Sequence, residues 1–336
     1  MSNKTGKKIG YALGGGGARG MAHIGVLKVL EKHGIFPDVV AGTSIGALVG
    51  ALYASGLTAD EIEQLALHVD WRRLAPLTDF TLSRSGFIRG RRIVSLLQSI
   101  LGNPAFSELR LPFACVATDI ITGEEVVLRH GSVVDAVRAT ISIPGVLTPA
   151  RISGRHLVDG GLVNAVPVST CRHMGAEYVI GVNVIPEPAK VALWLQRGEQ
   201  LQALERRIER EEVNSSSHPR GHSLRARLHN IESVLRTVIQ EHQARRHVPH
   251  GEALRPAERK TRRPQVETPR LPDVLSQSIL ITGHLRALEN LKEADLAISP
   301  AVERMRFWQF DAAAEAIRAG EEATWAALRQ ENGLRG

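Results

Sequence analysis

Short apolar runs alternate with amphipathic stretches along most of the chain. The runs are rich in β-branched residues and end at glycine or polar positions, which is typical of buried strands. The stretches between them repeat apolar positions every three or four residues, as helices with one buried face do. The pattern predicts an α/β fold. Strands are expected at residues 8–13, 39–42, 113–118, 125–128, 151–152, 156–158, 178–184 and 294–298.

Helices are expected between and after these strands. Thr58 and Glu61 form a capping box at the start of one of them. Residues 71–90 show neither pattern and are expected to form a loop. The predicted helices cover residues 18–33, 45–54, 58–69, 91–101, 132–142, 274–291 and 311–329.

The stretch Val39–Leu57 contains no charged residue and is long enough to cross a bilayer. Its hydropathy is diluted by glycine, alanine, threonine and serine, and it divides naturally into a buried strand, a turn and a helix. We therefore interpret this stretch as part of the protein core.

The composition changes after Ile185, where strand signals give way to Arg, Glu, Gln and His. This change predicts a core at residues 8–186 and a basic, charged insertion at residues 187–270 that is partly helical or disordered. Apolar periodicity returns at Leu271, so residues 271–335 are expected to add helices and a strand that complete the core.

The positive charge of the chain is concentrated in the insertion. Residues 214–270 contain 12 Lys or Arg and 5 Glu, a net +7, which equals the formal charge of the whole chain. Such local basicity, with only 4% aromatic residues, argues against a nucleic-acid-binding core. The insertion is expected either to be solvated or to contact anionic lipid.

Two features favour a cytoplasmic location. Cys115 and Cys171 are too few for a disulfide framework, and neither has metal-ligand spacing. The first eight residues are polar and basic and lack the apolar stretch of a signal peptide. We expect a cytoplasmic protein, peripheral on the inner membrane surface if the insertion binds lipid.

Ser44 lies in the sequence Gly42-Thr43-Ser44-Ile45-Gly46, between a predicted strand and a predicted helix. In a strand–turn–helix of this kind, the glycines relieve crowding and the serine hydroxyl is exposed at the helix N-terminus. That helix end favours developing negative charge. The motif predicts a nucleophile, and the alternative is a helix N-cap.

A glycine run from Gly14 to Gly20 follows the first predicted strand. The amides of Gly15, Gly16 and Gly17 are candidate donors to an acyl oxyanion, and one such donor is worth about 3 kcal/mol of barrier. Arg19 either orients this loop or holds an anionic headgroup.

The same run matches the dinucleotide-binding pattern Gly-x-Gly-x-x-Gly. That function requires an acid at the end of the second strand. Asp38 lies near the required distance but precedes the strand, so the dinucleotide interpretation is the weaker one.

Asp159 follows an apolar run in Val158-Asp159-Gly160-Gly161. With the glycine run and the serine turn, in this order, the motif resembles the patatin-like phospholipase family over residues 9–186. The resemblance implies a three-layer α/β/α sandwich with a central, mostly parallel sheet and no metal or cofactor. It also implies hydrolysis of fatty-acyl esters of phospholipids or lysophospholipids, with Ser44 as nucleophile and Asp159 as base.

A Ser–Asp dyad needs no histidine, whereas the triad of ordinary α/β-hydrolases is completed by a late one. His173 and His284 lie late in the chain but have no recognisable loop signature, and His23 is expected to pack on its helix. Two alternatives to the hydrolase stay open: a catalytically silent lipid-binding or regulatory module, and a dinucleotide-binding oxidoreductase.

Overall fold

A computed structural model describes five ranges of the chain. Most of the predicted insertion, from residue 195 to residue 270, lies outside them. The three-part division of the chain therefore stays a prediction, although residues 188–194 are helical. The described ranges are residues 6–68, 80–83, 86–88, 90–194 and 271–333.

The predicted strands of the core are all present, and their bounds differ from the expected ones by at most two residues. The strands of the structure are β1 (Ile9–Leu13), β2 (Val39–Thr43), β3 (Phe80–Ser83), β4 (Gly86–Ile88), β5 (Phe113–Asp119), β6 (Glu125–Leu128), β7 (Ala150–Ile152), β8 (Arg155–Asp159), β9 (Tyr178–Val182) and β10 (Leu296–Ile298). Of these, β3 and β4 were not expected.

The predicted helices are also present. Short 3-10 turns accompany them at Gly17–Met21, Phe106–Glu108, Gly160–Leu162 and Phe310–Ala312. The helices are α1 (Ala22–Lys32), α2 (Ile45–Ala54), α3 (Ala59–His68), α4 (Arg91–Leu101), α5 (Val133–Thr140), α6 (Val168–His173), α7 (Leu271–Leu291) and α8 (Ala313–Gly333). Of these, α6 was not expected.

The central sheet is mixed and mostly parallel, as expected. Its order is β10-β9-β1-β2-β5-β8-β7, with β6 also paired to β5. The strands from β10 to β5 are parallel, whereas β5–β6, β5–β8 and β7–β8 are antiparallel pairs. The parallel strands end at a common edge, where β1 leads into the glycine run and β2 leads into Ser44.

Helices cover both faces of this sheet, which gives three layers. Helices α1, α2, α3 and α8 pack together on one face, and α6 and α7 lie on the other. Along β1, Tyr11 and Leu13 belong to the first core cluster and Ala12 to the second. Alternate strand residues point to opposite faces. The sheet is therefore buried on both sides, as its near-continuous apolar strands predicted.

The loop prediction for residues 71–90 is wrong for two short strands. β3 and β4 pair antiparallel, with Phe80 opposite Ile88 and Ser83 opposite Gly86. The sequence Phe80–Ser83 does alternate apolar and polar positions. A run of this length is too short for periodicity alone to distinguish a strand from a loop.

The uncharged stretch Val39–Leu57 forms β2, the turn at Ser44 and α2, so the core interpretation is confirmed. None of the helices in the described ranges combines the length and the apolar character needed to cross a membrane.

Candidate active site

Ser44 forms the tight turn between β2 and α2. Its φ of 54° is a positive value that residues other than glycine rarely adopt, and such a conformation costs about 1–3 kcal/mol. Two hydrogen bonds hold the turn. The Ser44 amide donates to Thr140 Oγ1 at 2.8 Å, and Thr43 Oγ1 donates to the Asn164 carbonyl at 2.8 Å. The strained turn is thus fixed from two neighbouring segments.

The glycines on either side of Ser44 are required by close packing. A Cβ on Gly42 would lie 2.4 Å from the Ala47 Cα, and a Cβ on Gly46 would lie 2.2 Å from the Leu13 carbonyl oxygen. The Gly-x-Ser-x-Gly pattern therefore lets α2 start directly behind the strands. Because α2 begins at Ile45, Ser44 lies at its positive end.

Strand pairing brings Asp159 beside Ser44. Thr43 at the end of β2 pairs with Val116 of β5, and Asp159 at the end of β8 pairs with the next residue, Ala117. The C-terminal ends of β2 and β8 therefore lie on either side of β5, beside two consecutive residues of that strand. Ser44 and Asp159 both line one cavity in this arrangement.

The Asp159 carboxyl group has a shifted pKa. Burial raises its pKa from the ordinary value of 3.8 to about 6, although interaction with Ser44 and the hydrogen bond from the Gly161 amide both lower it. The Gly161 amide donates to Asp159 Oδ1 at 2.8 Å. This contact fixes the carboxylate while its second oxygen stays available to the serine.

The glycine run passes over the same cavity, but its three amides differ. The Gly15 amide donates to the Ala165 carbonyl at 3.0 Å, which corrects the expectation that this amide serves an oxyanion. Gly15 instead lets the loop approach Ser44, because a Cβ there would lie 3.3 Å from the Ser44 Cβ. No acceptor for the amides of Gly16 and Gly17 occurs among the described residues. Gly16 lines the cavity and Gly17 does not.

Arg19 supports the loop and also lines the cavity. It is 3% exposed, and its Nε donates to the Met305 carbonyl at 2.9 Å. Burial lowers its pKa to about 10, so the side chain stays charged at neutral pH. The loop-supporting contact is therefore present, while contact with an anionic headgroup stays a prediction.

His23 holds the glycine run from the protein interior. It is fully buried, and its Nε2 lies 2.8 Å from the Gly14 carbonyl. Burial lowers its pKa to about 4, so the ring is neutral, and the carbonyl acceptor requires the proton on Nε2. The sequence predicted that His23 packs on its helix but did not identify this polar partner.

The site residues surround a cavity of about 70 Å³ with mostly apolar walls. Sequence analysis did not predict that α7, from the C-terminal part of the chain, contributes Ile279, Leu280 and Gly283 to the wall. The available signal was that α7 has apolar residues on two faces, more than one buried stripe needs. The other apolar lining residues are Ile143, Pro144, Leu162, Ile185 and Phe307.

The late histidines do not join the site. His173 is exposed at the end of α6, and neither His173 nor His284 lines the cavity. Within the described ranges, no three His, Cys, Asp or Glu side chains come together as metal ligands.

Asp38 lies at the wrong end of the sheet to bind a ribose beside the glycine run. Its carboxylate accepts from the Ile9 amide at 2.7 Å, at the start of β1, whereas the glycine run follows the end of β1. This position argues against the dinucleotide-binding interpretation.

Residues 11–172 match the model of the patatin family, described as patatin-like phospholipase. An uncharacterized NTE family protein of Mycobacterium tuberculosis is 36% identical over 199 residues, covering 56% of this chain and 55% of that protein. The patatin-like phospholipase domain-containing protein 6 of Mus musculus is 38% identical over 187 residues, covering 54% of this chain and 14% of that protein. The chain thus spans about half of the mycobacterial relative.

Among solved structures, VipD from Legionella pneumophila is similar with a TM-score of 0.45 and 13% identity, covering 99% of this chain and 78% of VipD. The family match includes β1, the glycine run, the serine turn and Asp159. Residues 11–172 of the chain are therefore similar to the patatin-like phospholipase family.

Proposed function

We propose that this protein is a serine acyl hydrolase that cleaves fatty-acyl esters of phospholipids or lysophospholipids. The proposal depends most on the position of Ser44 and Asp159, which strand pairing brings to one cavity. The apolar cavity beside this pair suits an acyl chain. The match of residues 11–172 to the patatin-like phospholipase family supports a lipid ester as substrate.

In the first step, Ser44 Oγ attacks the ester carbonyl carbon and its proton moves to the Asp159 carboxylate. A base is most effective when its pKa lies near the working pH, and burial brings the pKa of Asp159 to about 6. The carboxylate therefore takes the proton without a histidine between the two groups.

The tetrahedral intermediate has a negatively charged oxygen that needs hydrogen-bond donors. The amides of Gly16 and Gly17 are the donors that the glycine run leaves without acceptors among the described residues. The positive end of α2 adds to the stabilisation of this charge. We assign the oxyanion to these groups rather than to Gly15.

The intermediate then collapses, and the bond between the carbonyl carbon and the alcohol oxygen breaks. Protonated Asp159 gives its proton to the leaving alcohol, and the fatty acyl group stays on Ser44 as an ester. Asp159 next takes a proton from water, which attacks the acyl-enzyme. Release of the fatty acid returns the proton to Ser44.

Replacing Ser44 tests this function. Ser44→Ala should abolish the release of fatty acid from phosphatidylcholine and lysophosphatidylcholine while the protein stays folded. Ser55→Ala is the matched control, because Ser55 caps the opposite end of α2. Retained turnover in a pure Ser44→Ala preparation would remove Ser44 from the mechanism.

A further inference from the structure

Helix α7 has apolar side chains on two opposite faces. The inner face supplies cavity residues and the buried Ala287. The other face has an outer stripe, formed by Val274, Ile281, Leu285 and Leu288, whose side chains are 43–61% exposed. With about 100° of rotation per residue, these four positions lie within an arc of about 60°.

The outer stripe is more than a scatter of exposed apolar residues. From Val274 to Leu288 it runs along about 21 Å of helix. The only charged residue between these two positions is Arg286, which lies about 120° of helical rotation away from Val274. Grouped exposed apolar residues of this kind, unlike single scattered ones, mark an interaction surface.

The helix that carries the outer stripe also forms part of the active site. Helix α7 packs on the Gly160–Leu162 turn that follows Asp159, and its inner face lines the cavity. A second exposed apolar group is linked to the same cavity. Trp308 is 56% exposed, and its ring packs edge-on against Phe307, a cavity residue, with centroids 4.7 Å apart.

We propose that the outer stripe of α7, together with Trp308, rests on a lipid surface and presents the cavity to the acyl esters within it. This inference builds on the proposed function, because a lipid-ester hydrolase must reach substrate held in an aggregate. Tryptophan is favoured at the boundary between lipid and water.

Charge favours lipid as the occupant of this surface. Residues 214–270, which end immediately before α7 in the sequence, have a net charge of +7. A basic segment joined in sequence to an apolar surface complements anionic headgroups.

Area argues against a second copy of the chain. A stripe about 21 Å long and one helix wide covers about 200 Å², whereas a stable interface buries about 800 Å² per partner.

The test measures binding of the full chain to vesicles of equal parts phosphatidylcholine and phosphatidylglycerol. All proteins contain Ser44→Ala, so that the vesicles are not hydrolysed. Adding Leu285→Glu and Leu288→Glu should lower the partition coefficient about tenfold, since two leucines no longer enter the lipid. The loss should persist at about 0.5 M salt, where the attraction between exposed charges is screened.

Leu67→Glu is the matched control. Leu67 is 45% exposed on α3, in the helix layer on the opposite face of the sheet, and its replacement should change binding less than about twofold. If the glutamate variant does not fold, Leu285→Ala with Leu288→Ala removes apolar area without adding charge. That variant should also bind more weakly than the control.

Equal binding by the stripe variant and the control would overturn the proposal, and so would no vesicle binding by the full chain. A dimer that the stripe variant converts to a monomer would identify a second copy as the occupant and also overturn it. Turnover of a water-soluble short-chain ester by the wild type separates the two proposals. Stripe-dependent binding without turnover would contradict the proposed function and support the lipid surface.

Discussion

At the residue scale, the site combines a strained serine with a buried carboxylate. Ser44 has a positive φ at the start of α2, and Asp159 is held by the Gly161 amide with a raised pKa. Both features cost stability and are held by surrounding contacts. The free-energy cost of burying the Asp159 carboxyl group depends on whether it is protonated. This cost can therefore be measured by changing the pH.

The pH dependence of turnover should show the titration of Asp159. The base must be ionised to accept the Ser44 proton, so kcat/KM should fall as the pH drops below about 6. The pH profile of kcat/KM for a soluble ester, recorded between pH 4 and 8, measures this fall. On the acid side, kcat/KM should drop about tenfold per pH unit. An acid limb centred near 4 would contradict a buried carboxylate as base.

Asp159→Asn should stabilise the folded protein at pH 8. The pKa of Asp159 is higher in the folded state than in the unfolded state, so its charge lowers stability above pH 6, and this cost disappears below about pH 4. The asparagine keeps an acceptor for the Gly161 amide and removes the charge. The free energy of unfolding should rise by about 2 kcal/mol at pH 8.

Denaturant unfolding at pH 8 and pH 4 measures the difference in the free energy of unfolding between Asp159→Asn and the wild type. This difference should shrink toward the lower pH. Asp60→Asn, a change at a 77% exposed side chain on α3, is the control. A stability gain that does not depend on pH would mean that burial of the charge is not its cause.

At the element scale, the turn between β2 and α2 depends on how closely α2 approaches β1. Gly46 allows this approach, since a Cβ there would meet the Leu13 backbone. Gly46→Ala should therefore destabilise the protein by about 3 kcal/mol and displace Ser44. Thermal unfolding and ester turnover both measure the effect.

Gly50→Ala is the matched control on the same helix. Its Cβ would meet side-chain atoms of Phe113 and Val40 at 3.0 and 3.1 Å, and these can shift. Its effect on stability should stay below about 1 kcal/mol. Equal effects of the two substitutions would contradict the requirement for glycine at position 46.

Local signals predicted the elements well because they depend on residues close in sequence. The β-branched run, the glycine pair and the apolar helix placed Ser44 at its turn, and the structure agrees. The short hairpin of β3 and β4 was missed because four residues contain too little periodicity.

Contacts between distant segments were harder to predict. The Gly15 amide is occupied by the Ala165 carbonyl, and α7 forms a wall of the cavity. Both depend on how separate segments pack in three dimensions. The resemblance to a family indicated which residues to consider, but it did not specify the hydrogen bonds of each amide.

At the scale of the whole molecule, charge and apolar surface are both expected to act at the membrane. Residues 214–270 hold the net positive charge of the chain, and the outer stripe of α7 supplies apolar area. Each contribution responds differently to salt, because ionic attraction is screened and apolar burial is not. The two can therefore be separated experimentally.

Binding of the full chain to anionic vesicles should weaken as salt rises. Replacing Arg245, Arg246, Arg262 and Arg263 with glutamine should weaken binding at low salt, at about 1 kcal/mol per residue near the surface. The difference from the wild type should nearly vanish at about 0.5 M salt. Equal binding at low salt would reject contact between this segment and anionic lipid.

Activation of Ser44 by Asp159 is tested most directly with a fluorophosphonate, which reacts with activated serines, followed by mass spectrometry to locate the adduct. One phosphonyl group should appear on Ser44 of the wild type, and Asp159→Asn should react about a hundredfold more slowly while staying folded. An adduct on another residue, or an equal rate in Asp159→Asn, would contradict the dyad. No reaction at all would indicate a catalytically silent protein.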